Sequence, residues 1–329
     1  MKNKDRLATT IIMLVALGTL LAACSGQEEK PTSAGNPYDV LLMAENDTAR
    51  AIVAGMLATP VEKLPQEEPM FDVKEIDNDM LTHTTKYQRA IVIVETDTQR
   101  YSRTKVAYED NVFASDQIMA YICTPSAAAL KKDSVRVAGG LLELLNKTEL
   151  KAQMTAIATN GNKKAERMAD SLLCCHMSIP AELSSSKTGD NFLWLSDNGT
   201  ETISNICIYS TPGKAGSPQH IIRRRDSVLA ANIKGETPEI YMKTSRKVLP
   251  SFRKIRTDTN SPFITEIRGL WEMEGDAMGG PFVSLTLDDK EAGRTITAEA
   301  FLFAPGKDKR DKLRRLEAAL YTLQTKKNN

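Results

Sequence analysis

Two apolar runs near the end of the chain constrain its fold more than any other feature. Pro281 to Leu287 and Thr295 to Phe303 are rich in β-branched, aromatic and leucine side chains, and six residues, Asp288 to Gly293, separate them. A polar connection of that length, ending in glycine, predicts an antiparallel pair. Ile264 to Glu272 reads as a third strand before them, and a helix follows over about Asp308 to Gln324. Leu313, Leu316, Leu320 and Leu323 mark the apolar face of that helix. Strands that follow one another directly, with a helix closing the series, predict an α+β fold. Mostly antiparallel sheets covered on one face by helices are expected, not a doubly wound parallel sheet.

The remainder of the chain has a similar order. Tyr38 to Met43 reads as a strand, and Asp47 as the cap of a helix through Leu57. Phe71 to Ile76, Ala90 to Val94 and Gln117 to Cys123 read as extended. Thr124 and Pro125 open a helical stretch to about Met154, with a break expected at Gly139 and Gly140, and Lys163 to Leu173 is a further helix. Strands at Asn191 to Leu195 and Asn205 to Ser210 then precede a helix from Ser217 and Pro218 to about Asn232. Ile221, Ile222, Arg225, Val228 and Leu229 set its face. Two α+β halves are expected, 38–180 and 190–329, each ferredoxin-like, joined across the Ser-rich stretch from Pro180 to Gly189.

Residues 1–23 are read apart from that body. Lys2, Lys4 and Arg6 precede an apolar run from Ile11 to Ala23. The run is about 13 residues long, whereas a membrane-spanning helix needs roughly 20. A basic start and a short apolar core predict a signal peptide. Its end, Leu21-Ala22-Ala23-Cys24, resembles the lipobox of bacterial lipoproteins. The resemblance implies cleavage before Cys24 and lipid attachment to it, palmitate included. Ser25 to Glu29 resembles the acidic surface-export signal of lipoproteins in Bacteroidota-type bacteria, and reads equally as a plain polar tether. Residues 24–37 contain no bulky apolar side chain, so a flexible linker is expected. The expected location is the cell envelope, as an outer-membrane lipoprotein facing the periplasm or the surface.

The net charge of +1 gives no electrostatic case for a nucleic-acid partner. Three histidines, His83, His176 and His220, leave little for a metal site, and Cys174-Cys175-His176 lacks a CxxC or HxxxH companion. Neither metal nor cofactor is expected. Cys123, Cys174, Cys175 and Cys207 remain after Cys24; their spacing does not define pairs, and buried apolar roles are expected.

The most distinctive passage runs from Arg268 to Ser284, through Trp271, Glu272, Gly275, Asp276, Met278, Gly279 and Gly280. With Glu299 to Pro305, Leu313 to Ala318, Leu64 to Phe71 and Asn191 to Trp194, it resembles an uncharacterised lipoprotein family of Bacteroidota, domain of unknown function 4837. The resemblance covers most of the chain beyond the tether and is strongest from about Arg223 onward. It implies an envelope lipoprotein and brings no activity or catalytic residue.

Two readings of the passage stay open. In one it is a tight packed connection between strands, with glycines where the backbone needs them. In the other it is a ligand or partner loop to which Arg268, Trp271, Glu272, Asp276, Gly279 and Gly280 contribute. Glycines here lack the GxxxxGK[ST] and GxGxxG spacings of phosphate loops. No catalytic residue is assigned. A non-enzymatic binding or assembly module is expected, held to the membrane by its lipid and meeting an envelope protein or glycan. The alternative is a glycan-binding or glycan-hydrolysing protein with Glu272 or Asp276 as acid or base beside Trp271. The basic run from Lys307 to Arg315 is expected to be a solvated helix face.

Overall fold

Three almost continuously apolar strands centre the first sheet: β1 (Asp39–Ala44), β3 (Ala90–Thr96) and β5 (Ile118–Thr124). Strands of that kind suit burial on both faces, as in parallel sheets. In the computed structural model, which describes residues 30–77, 81–256 and 263–326, they pair accordingly. β1 runs parallel to β2 (Asp72–Ile76) and to β3, and β3 runs parallel to β5. Only β4 (Lys105–Asp110), at the edge beside β5, is antiparallel, giving the order β2-β1-β3-β5-β4. Helices α1 (Asp47–Leu57), α2 (Ala127–Lys132) and α3 (Ser134–Asn160) cover one face. They bury Val53, Leu57, Leu130, Val137 and Leu141 against Leu42, Val92 and Ile122.

The second sheet has eight strands and is antiparallel throughout. It is built from β7 (Ser185–Gly189), β8 (Phe192–Ser196), β9 (Ile203–Pro212), β10 (Tyr241–Thr244), β11 (Ser251–Ile255), β12 (Ile264–Glu274), β13 (Gly279–Asp289) and β14 (Arg294–Phe303). The order is β10-β12-β13-β14-β9-β8-β7, with β11 beside β12. Period-two alternation sorts its side chains to two faces. Ile206, Ile208, Val283, Leu285, Ile296 and Ala298 meet α4 (Lys163–Leu173) and α6 (Arg310–Leu320). Cys207, Tyr209, Trp271, Phe282 and Phe301 meet α5 (Pro218–Asn232) on the other face. A small pair, β6 (Cys175–His176) with β15 (Gln324–Thr325), ties the end of α4 to the chain after α6.

The α+β class and the predominance of antiparallel pairing agree with the sequence. The ferredoxin-like duplication does not: one sheet is chiefly parallel, the other a long antiparallel sheet with helices on both faces instead of one. The Ser-rich stretch read as a connector supplies β7, an edge strand of the second sheet. The long helical stretch breaks at Asp133 and not at Gly139-Gly140. Val137, Leu141 and Leu145 form a buried stripe that carries α3 through its two exposed glycines. Farther along, Ile157 of α3 enters the core of the second sheet, so this 27-residue helix, about 40 Å long, packs in both cores. Among the described residues no helix is long and apolar enough to cross a membrane. Residues 24–29 of the expected tether, Cys24 included, lie outside the described residues. The rest is not a free linker, because Thr32 and Ala34 bridge to Ser115 and Gln88 and backbone hydrogen bonds hold Ser33 and Ala34 against the first half.

Candidate functional site

The glycine-rich passage is the hairpin β12–β13. Trp271 faces Gly280 and Glu272 faces Gly279 in register, and a short turn from Gly275 to Met278 closes the pair. Gly275 has φ +76°, and the Met273 amide donates to the Met278 carbonyl at 2.9 Å. Gly280 is required by close approach: a Cβ there would stand 2.0 Å from the Leu302 carbonyl oxygen. The same carbonyl accepts the Trp271 indole N–H at 3.3 Å. Trp271 is only 3% exposed and meets Phe301 edge-on at 5.5 Å. The two glycines and the tryptophan therefore belong to the packing of the sheet.

The polar residues of the passage diverge. Arg268 is buried on the opposite face from Trp271, donating to Glu266 at 2.8 Å and pairing with Glu317 of α6. Glu266 also accepts from Arg253 at 2.5 Å and from the Tyr321 hydroxyl at 2.6 Å. Burial would raise the Glu266 carboxyl, but the flanking Arg268 and Arg253 outweigh it and hold it below the usual carboxylate range. Glu272 accepts from Ser245 Oγ at 2.9 Å and stands 3.7 Å from both Lys243 and Lys247. Asp276 is exposed at the turn, its carboxylate taking the adjacent Ala277 amide. The structure thus does not assemble Arg268, Trp271, Glu272 and Asp276 around one ligand space. Alternation along β12 sends Trp271 to the face opposite Arg268 and Glu272, Asp276 lies beyond the strand in the turn, and the core takes the aromatic ring.

Sequence reasoning missed a fully buried pair, Arg225 of α5 with Glu299 of β14. Arg225 Nε and Nη2 grip the two carboxylate oxygens at 2.8 and 2.6 Å, and Nη1 reaches Thr244 Oγ1 at 2.9 Å. The guanidinium also lies 3.9 Å over the Phe282 ring. Burial works against its charge, but Glu299 overcomes this and pushes the Arg225 pKa up. The signal was its phase: Arg225 shares the apolar face of its helix with Ile221 and Leu229. Beneath the same helix, Tyr209, Thr286, Thr295 and Thr297 help line a cavity of about 10 Å³, room for one water.

The basic run of α6 is not a solvated face. Glu68 caps the helix from the first half, accepting the Lys309 and Arg310 amides at 2.9 and 2.7 Å. Arg310 pairs with Asp72, and Arg314 lies 4.4 Å over the Tyr38 ring. These arginines join the two halves. Beside this seam, a cavity of about 270 Å³ is lined by Pro37, Arg89, Gln153, Lys312 and Arg315 among others. Arg89 is engaged by Glu149 through two hydrogen bonds of 3.0 and 2.9 Å, and Arg315 by Glu182.

All four described cysteines are free thiols. Cys175 and Cys207 are buried, and burial pushes the Cys175 thiol up to about 12. Cys174 is exposed and ends α4 with φ +48°. Among the described residues no three His, Cys, Asp or Glu side chains form a group that would hold a metal ion.

One surface stands apart. Val248, Leu249, Phe252 and Phe263 are four of the seven large apolar side chains exposed among the described residues, and all flank the outer edge of β12. Leu249 is 79% and Phe263 56% exposed. The Arg246–Pro250 connection bulges from that edge between β10 and β11, both of which pair with β12.

Comparison with known proteins agrees with the resemblance read from the sequence and narrows its extent. Residues 162–322 match the family model described as domain of unknown function DUF4837. Residues 33–158, including the Leu64–Phe71 passage, match a second, domain of unknown function DUF8532. The two matches meet where α3 ends, at Asn160. A search of the curated proteins gives no match. Among solved structures, the human StarD13 (DLC2) lipid transfer and protein localization domain aligns at 11% identity, over 41% of this chain and 88% of its own, with a TM-score of 0.21. The second half of this protein is thus a member of the DUF4837 family, preceded by a DUF8532 domain.

Proposed function

We propose that the chain is a lipid-anchored protein of the bacterial cell envelope that works by docking and carries out no chemistry of its own. The observation that carries this reading is the clustering of exposed Val248, Leu249, Phe252 and Phe263 on one sheet edge. Large apolar side chains left exposed along one edge mark an interaction site. The engagement of Arg268, Glu266, Glu272, Arg225 and Glu299 with one another supports it, because those groups already serve the fold. The anchor is Cys24, acylated in a Bacteroidota-type outer membrane, with residues 25–31 as the tether.

Two measurements test the reading. Cys24→Ala is expected to abolish incorporation of labelled palmitate and to release the protein from membranes; unchanged membrane retention overturns the anchor. A photo-cross-linking residue at Leu249 is expected to capture an envelope component in cells. The same residue at Val135, 88% exposed on α3, is the control and is expected to capture far less. Equal capture at both positions overturns the docking surface.

A further inference from the structure

The apolar edge is also cationic. No acidic residue occurs between Lys243 and Arg256, while Arg246, Lys247, Arg253, Lys254 and Arg256 are all exposed. Glu62, Glu266 and Glu272 are among the carboxylates that reach this edge, Glu62 standing 3.4 Å from Ser251 Oγ. Glu266 takes Arg253 but is shared with buried Arg268, and Glu272 stands 3.7 Å from Lys247. Arg246 and Lys254 have no acidic partner among the described residues.

Geometry interleaves the two kinds of side chain. Phe252 lies opposite Ile267 and Lys254 opposite Thr265, so the two share one face of the sheet. The Arg256 guanidinium lies 3.8 Å over the Phe263 ring. Leu249 and Val248 project from the bulge beside Arg246 and Lys247. Lysines on an edge strand guard against aggregation, but that role does not account for leucine and phenylalanine left exposed among them. A headgroup layer accommodates both: phosphates meet the cations, and apolar tips enter the boundary with the acyl chains.

We propose that residues 246–256, together with Phe263, seat this protein on an anionic phospholipid bilayer. The inference rests on the reading of this edge as the docking surface of an anchored protein. Thr32 and Ala34 are bridged to Ser115 and Gln88, so the tether is at most residues 24–31 and reaches at most roughly 30 Å, which keeps an anchored body close enough for a weak surface to engage.

The test uses the full chain with vesicles of phosphatidylcholine, alone or mixed with phosphatidylglycerol, and amide hydrogen exchange read by mass spectrometry. Peptides covering 246–256 are expected to slow about tenfold on the mixed vesicles, as for a contact occupied about nine-tenths of the time. No slowing is expected on phosphatidylcholine alone, and high salt should remove the effect. Arg246→Gln with Lys254→Gln should abolish it, whereas Lys131→Gln with Lys132→Gln, exposed on α2, should not. All four side chains are exposed, so an unchanged melting temperature verifies the fold. Attached protein without protection at 246–256, or protection indifferent to the Arg246 and Lys254 changes, overturns the bilayer. If Leu249 then still captures an envelope protein in cells, the docking surface stands and its partner is that protein. If it captures nothing, both readings fall.

Discussion

Arg225→Met probes the buried pair that joins α5 to the second sheet. Arg225 and Glu299 are both fully inaccessible, and the guanidinium supplies two bonds of 2.8 and 2.6 Å to the carboxylate. Methionine preserves much of the stem but leaves Glu299 beside Cys207 and Tyr209 with no cation. Removing one partner of a buried pair costs about 3–5 kcal/mol. At about 2–4 °C per kcal/mol for a domain of this size, the melting temperature should fall by roughly 6–20 °C. Burial pushes the Glu299 carboxyl up and Arg225 pulls it back, so in the variant only the upward push remains. A carboxyl raised on folding contributes stability below its unfolded pKa, and loses it as pH rises through the folded one. The deficit should therefore be smallest near about pH 4 and grow toward about pH 8. Arg225→Met with Glu299→Leu should recover most of the loss, because apolar residues of similar volume can replace such a pair. Urea denaturation across that pH range reads all three quantities. A single variant within about 1 kcal/mol of the parent, or a double variant as unstable as the single, would refute the reasoning.

Three further outcomes follow from particular contacts. Gly280→Ala sets a Cβ against the Leu302 carbonyl and should destabilise by about 1–3 kcal/mol, whereas Gly139→Ala, with nothing within 4 Å on exposed α3, should stabilise by about 0.5–1 kcal/mol; paired thermal melts compare them. Glu266, held below the usual carboxylate range, contributes stability present above its unfolded pKa and lost as pH falls through the folded one. Glu266→Gln should accordingly flatten the acid limb of a stability profile below about pH 5. Glu68→Ala removes the cap that the first half lends to α6. It should cost about 0.5–2 kcal/mol and speed hydrogen exchange at the Lys309 and Arg310 amides.

Elements that bury side chains were legible in the chain, and those held by backbone alone were not. β3 and β13 announce themselves through apolar runs, and Ser217 caps α5 where the sequence places it, accepting the His220 amide. β4 and β7 were missed because their side chains are largely exposed and polar. Edge strands of that kind are specified by a neighbour's unpaired N–H and C=O groups, which leave no pattern in their own residues. The glycine-rich passage shows a related dependence on distant groups. Trp271, Gly279 and Gly280 were correctly distinctive, but their distinction lies in the approach of the Leu302 carbonyl, more than twenty residues away along the chain.

By itself the sequence determined the α+β class, the positions of the buried strands and helices, and the resemblance that residues 162–322 bear out. These depend on local periodicity and on motifs contiguous in the chain. Only the tertiary structure decided the parallel pairing of β1, β2, β3 and β5, the partners of Arg225, Arg268 and Arg310, and the emergence of Leu249, Phe252 and Phe263 on an edge shared with exposed bases. A charged or apolar side chain reads alike in a chain whether it ends in the core or in solvent. Its fate is settled by which distant groups the packed sheets and helices bring against it, and by what they leave uncovered.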